Sequence, residues 1–96
     1  MFQPFEAHRC ARPSTFCFSV HADNDVSVLP GVVGILAKRG LIPERMIATR
    51  FPSVGHGKGE LHVDFHIHEL DHAAAELLAK AMRRMICTRV VLTAEK

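Results

Sequence analysis

Between Glu60 and His68 apolar and polar residues alternate without a break: Leu61, Val63, Phe65 and Ile67 against His62, Asp64, His66 and His68. Successive side chains of a strand point to opposite faces, so this alternation describes a sheet with one face on a core and the other in water. Phe16, Phe18 and Val20 alternate in the same way with Cys17, Ser19 and His21. The chain has 96 residues, enough for one domain. The two strands are therefore expected in one sheet.

The rest of the chain falls around them. Asp23, Asn24 and Asp25 form a polar cluster that stops the first strand and opens a turn. A helix follows, with Asp25 or Ser27 as its cap and Pro30 in its first turn, where a missing N–H is tolerated. Leu29, Val32, Val33 and Leu36 recur at helical spacing and are expected to be its buried stripe. Lys38, Arg39 and Gly40 mark its end: two cations suit the negative end of the helix dipole, and glycine suits a left-handed C′ position with Leu41 folding back on Leu36. Arg45 to Phe51 reads as a strand with Ile47, Thr49 and Phe51 on one face. Pro52 to Gly59, rich in glycine, reads as a hairpin loop. Asp71 can cap a second helix running to about Met85, with Ala74, Leu77, Leu78, Ala81, Met82 and Met85 on its apolar face. Ile86 to Thr93 is the last strand.

This order, strand–helix–strand–strand–helix–strand, predicts an α+β, ferredoxin-like βαββαβ sandwich. Right-handed crossovers place two helices on one face of a four-stranded antiparallel sheet. The first and third strands are central, and the second and fourth are edges open to pairing with another copy.

Composition narrows function mainly by exclusion. The formal net charge is +2, too mild for a nucleic-acid-binding surface. No apolar run is long enough to cross a bilayer. The three cysteines, Cys10, Cys17 and Cys87, are widely spaced and odd in number, which fits neither a disulfide framework nor a zinc ribbon. Reduced thiols point to a cytoplasmic protein. Residues 1–14 have two prolines, no periodicity and no signal-peptide core, and read as a flexible arm before a domain at 15–96. No phosphate loop, nucleophile elbow or paired-carboxylate motif appears, so neither catalysis nor a cofactor is expected.

The stretch from Val20 to Ile47, VHADNDVSVLPGVVGILAKRGLIPERMI, resembles the opening of ACT domains, and most closely that of the regulatory (small) subunit of acetolactate synthase, an enzyme of branched-chain amino-acid biosynthesis. The helix end GILAKRG carries the likeness best, and the alternating strand, helix and strand from Leu61 to Leu92 fit the second half of such a domain. The resemblance implies a regulatory module that binds an amino acid or similar small effector. It also implies a homodimer, formed by joining edge strands or packing helices, that serves a large catalytic enzyme subunit. Asn24 matches the family's turn asparagine, and Asp25, Val26, Ser27 and Val28 would add backbone and hydroxyl groups. N–H groups at a helix start suit a carboxylate. Two positions depart from the family's pattern: Ser27 replaces a glycine, and Ile42 replaces an asparagine beyond the helix end.

Two other readings stand beside this one. His62, His66 and His68 share a strand face with Asp64, and His21 and Cys17 should lie on the same face of the first strand. Histidines two apart on a strand project together and can chelate zinc or nickel, provided three or four ligands converge. A plain assembly subunit, which binds no small molecule, is the third reading.

Overall fold

A computed structural model of the protein describes residues 14–55 and 57–96. Most of the proposed arm, residues 1–13, lies outside the described residues. The elements follow the expected order: β1 (Ser14–Asp23), α1 (Val28–Lys38), β2 (Arg45–Phe51), β3 (Glu60–Leu70), α2 (His72–Arg83) and β4 (Thr88–Glu95). The sheet runs β2-β3-β1-β4, with every neighbouring pair antiparallel. β1 and β3 are central and β2 and β4 are edges, as a βαββαβ chain with right-handed crossovers requires.

The alternation places the core as expected. Phe16, Phe18, Val20 and Ala22 of β1 and Leu61, Val63, Phe65 and Ile67 of β3 are buried in one cluster with residues of both helices. Phe18 and Phe65 sit opposite each other in register and stack, with ring centroids 5.2 Å apart.

Both helices are rotated from the sequence expectation. In α1 the buried residues are Val28, Val32 and Leu36, whereas Leu29 and Val33 are exposed. In α2 they are Ala75, Leu78, Ala79 and Met82, and Leu77 is exposed. Each observed set keeps helical spacing, so periodicity alone admitted both rotations. The sheet decides between them. α2 lies beside Phe16, where the small Ala75 and Ala79 face the sheet and bulky Leu77 is turned outward.

The helix ends are built locally. The N–H of Gly40 donates to the carbonyl of Ala37 at 3.1 Å and that of Leu41 to the carbonyl of Leu36 at 3.0 Å, a Schellman end with Gly40 at φ 66°. At α2 the Asp71 carboxylate accepts from the N–H of Ala74 at 2.7 Å. Asp71→Ala should therefore lower stability by about 1 kcal/mol, read as a reduced urea midpoint with unchanged slope. A shift below a few tenths would mean that water replaces the cap.

Candidate functional site

The turn from β1 into α1 is held from both sides. The N–H of Asp23 donates to the carbonyl of Cys87 at 2.9 Å, and that of Asn24 to the carbonyl of Gly59 at 3.3 Å. The turn is thus tied to the loop before β4 and to the end of the β2–β3 hairpin. Side chains reinforce this. Arg89 donates from Nε to Asp23 Oδ1 at 2.6 Å and from Nη1 to Glu60 Oε2 at 3.0 Å. Glu60 Oε1 in turn accepts from His62 Nε2 at 2.9 Å. That hydrogen bond, with smaller contributions from the Arg89, His62 and His21 charges, holds the Glu60 carboxyl below its usual range.

Asp25 and Ser27 form their own knot. Asp25 Oδ1 accepts from the Ser27 N–H at 2.9 Å and from the Ser27 hydroxyl at 2.7 Å. The Ser27 N–H is the largest cause of a lowered Asp25 pKa, followed by the hydroxyl and, more weakly, by the Lys58 charge. Ser27 stands at the N-cap position of α1, but its side chain makes no cap hydrogen bond, because its hydroxyl is turned to Asp25.

Beside this turn lies an open hollow of about 380 Å³, lined by Asn24, Asp25, Val26, Leu29, Arg50 and Leu61. Three of the residues expected from the sequence, Asn24, Asp25 and Val26, come together here. Val28 is buried in the core, and Ile42 is 87% exposed on the loop before β2 without lining the hollow. Arg50, Leu29 and Leu61 are additions. Arg50 pairs with Leu61 across β2 and β3, so it emerges on the helix side of the sheet at its open edge. Strand alternation sets Arg50 on the face opposite Thr49 and Phe51, and the register with Leu61 decides that this face is the one under the helices. A second hollow of about 280 Å³ lies between α2 and β4. Of its charged groups, His72 pairs with Glu95 at 3.0 Å and Arg83 reaches the Val91 carbonyl at 3.5 Å, while Glu76 and Lys80 also line it.

The histidine face does not assemble as the metal reading requires. His21 and His62 lie ring on ring, with centroids 3.8 Å apart and planes within 6°. Nitrogen lone pairs lie in the ring plane, so stacked rings aim theirs side by side rather than at a common point. His62 is bonded to Glu60, His21 Nε2 to the Ser19 hydroxyl at 2.9 Å, and His68 to Glu44 at 2.7 Å. Among the described residues, no three His, Cys, Asp or Glu side chains converge to hold a metal.

Solved structures share this architecture. The ACT domain of GTP pyrophosphokinase from Chlorobium tepidum superposes with a TM-score of 0.68 over 85% of this chain and 99% of that one, at 8% identity. The fold is that of an ACT domain. A homoserine dehydrogenase from Thiobacillus denitrificans matches 88% of this chain with 18% of its own, at a TM-score of 0.69 and 13% identity. The C-terminal domain of the MgtC protein from Mycobacterium tuberculosis matches 88% of each chain at a TM-score of 0.63 and 12% identity. No family model matches the sequence, and no curated protein is similar to it at the level of sequence. At such identities the likeness establishes the ACT fold and nothing finer. Among the described residues, no helix is long and apolar enough to cross a membrane.

Proposed function

We propose that this ACT-fold chain is a regulatory module that binds an amino acid or similar small effector in the hollow beside the β1–α1 turn. It has no catalysis of its own, and it acts by favouring one arrangement of an associated catalytic subunit. The reading rests on one observation above all: the hollow joins an amide and a carboxylate, Asn24 and Asp25, with the guanidinium of Arg50 over an apolar lining of Leu29 and Leu61. Asp25, held ionised by Ser27, suits an ammonium group. Arg50 suits a carboxylate, which its planar fork can hold through two hydrogen bonds. Leu29 and Leu61 accept an aliphatic side chain. The sequence likeness to the small subunit of acetolactate synthase makes branched-chain amino acids the first effectors to try, and a large subunit of that kind the first catalytic partner.

Regulation of this kind is linkage: an effector that prefers one arrangement of the module shifts the partner by that difference in affinity and no more. The test is a thermal-shift screen of the twenty amino acids. A ligand at a hundred times its dissociation constant adds about 2.7 kcal/mol of stability. The expected result is a stabilising shift with at least one aliphatic amino acid, lost in Asn24→Ala and in Arg50→Ala. A shift retained in both variants would move the ligand elsewhere, and no shift with any amino acid would favour a ligand-free assembly subunit.

A further inference from the structure

The face of the sheet turned away from the helices carries a second pattern. Ile47, Phe51, Val90 and Leu92 are 45%, 45%, 45% and 53% exposed. Strand alternation puts all four on this open face, two on edge strand β2 and two on edge strand β4. Between the two apolar rows lie the polar outward residues of β1 and β3. Half-exposed apolar rows on a single face are what a partner surface leaves when the partner is removed.

The pairing register lays this face out in three complete rows across β2, β3, β1 and β4. They are Arg45–His66–Cys17–Ala94, Ile47–Asp64–Ser19–Leu92 and Thr49–His62–His21–Val90. A second copy stacked on the first through a two-fold axis parallel to the strands sets β2 over the partner's β4 and β1 over the partner's β3, row upon row. In the middle row Ile47 meets the partner's Leu92, and the Asp64 carboxylate meets the partner's Ser19 hydroxyl. In the outer rows Thr49 meets the partner's Val90, and Arg45 meets the partner's Ala94. Between them His62 meets the partner's His21 and His66 meets the partner's Cys17, so the apolar Ile47–Leu92 contact and the Asp64–Ser19 contact sit in the middle row and no carboxylate faces a carboxylate. An in-plane axis across the strands would instead set Asp64 on the partner's Asp64, a juxtaposition of like charges that opposes association.

We propose that this open face is a homodimer interface, with the two sheets packed face to face about an axis along the strands. A four-stranded sheet with strands of this length presents roughly 20 Å by 27 Å, so the pair buries on the order of 1,000 Å² in all. That reaches the lower bound for a specific interface. The twist of each sheet sets the two at about 30°, which keeps the central rows superposed while the corners diverge. This surface is neither of those expected from the sequence, the strand edges and the helices, and it leaves the hollow beside Asn24 open. The interface and the effector site therefore stand or fall separately.

Sedimentation uses the full chain unchanged, and cross-linking uses the chain with Cys10, Cys17 and Cys87 changed to Ser after its dimerisation has been matched to that of the unchanged chain. Sedimentation over a range of concentrations should show a dimer. Leu92→Arg should weaken it at least tenfold while circular dichroism stays unchanged, and Leu77→Arg on the exposed face of α2 should leave it intact. Geometry is read by cross-linking. Ile47→Cys mixed with Leu92→Cys should be joined efficiently by a short bismaleimide, and each variant alone poorly. A monomer at every concentration would overturn the proposal. So would a dimer indifferent to Leu92→Arg, or cross-linking of Ile47→Cys to itself as efficient as that of the mixture.

Discussion

Phe65→Ala should lower the unfolding free energy by about 3–5 kcal/mol. Phe65 is 1% exposed, it stacks on Phe18, and it sits mid-strand on β3, which pairs with both β1 and β2. Removing the ring forfeits its burial and leaves a cavity between two strands and the helices above them. The sheet cannot collapse to close that space without shifting ladders on both sides. A domain of this size is stable by only about 5–15 kcal/mol, so the variant approaches the edge of folding. A midpoint fall of about 12 °C or more is the calorimetric expression of that loss. Leu77→Ala, on the exposed side of α2, should change stability by no more than about 0.5 kcal/mol. Similar effects of the two substitutions would mean that the orientation of α2 and the position of the core are wrong.

Gly59→Ala should disrupt the hairpin end more than its size suggests. Gly59 has φ 81°, where a side chain is strained. A Cβ added there would overlap the Phe51 carbonyl oxygen and come within 2.8 Å of the Ser53 nitrogen and 3.0 Å of the Pro52 carbonyl carbon. All three are backbone atoms, which cannot turn aside as a flexible side chain can. Gly40 supplies the control: its φ is 66°, but a Cβ there meets nothing within 4 Å. Gly40→Ala should therefore cost the left-handed strain alone, about 1–2 kcal/mol, and Gly59→Ala that strain plus a forced displacement of the hairpin. The displacement has a second consequence. The Gly59 carbonyl accepts from the Asn24 N–H, and Glu60 is bonded to Arg89. Gly59→Ala should thus also weaken effector binding, whereas Gly40→Ala leaves it unchanged. Chemical denaturation of the two variants, with effector titration of each, measures both effects; equal losses would show that the hairpin yields to the added methyl group.

The candidate site was partly legible before the fold was known. Asn24, Asp25 and Val26 are contiguous, so any chain path that makes a turn there brings them together. Ile42 entered only through the family resemblance, and it stands on the loop before β2 away from the hollow. Arg50, Leu29 and Leu61 come from three different elements. Their convergence depends on the β2–β3 register and on the rotation of α1, neither of which a hydrophobic pattern specifies.

The histidine face shows the same division. Placing His21, His62 and His66 on one sheet face requires only strand alternation and the neighbouring order of β1 and β3. Whether they chelate or stack depends on ring orientation, which is set by Ser19, Glu60 and Phe51 packed beside them.

Local chemistry in the chain sufficed for the faces of β1 and β3, the helix stop at Gly40, the helix start at Asp71, and the βαββαβ order. Each follows from residues a few positions apart: a period of two, a cap, a glycine at positive φ. From that order the chirality of crossovers leaves β1 and β3 in the centre of the sheet. Only the tertiary structure decided which side of each helix is buried, because several stripes share helical spacing and the closeness of helix to sheet selects among them. It alone decided that Arg50 shares a hollow with Asn24 and that Ile47, Asp64, Ser19 and Leu92 form one row, since strand register joins residues tens of positions apart.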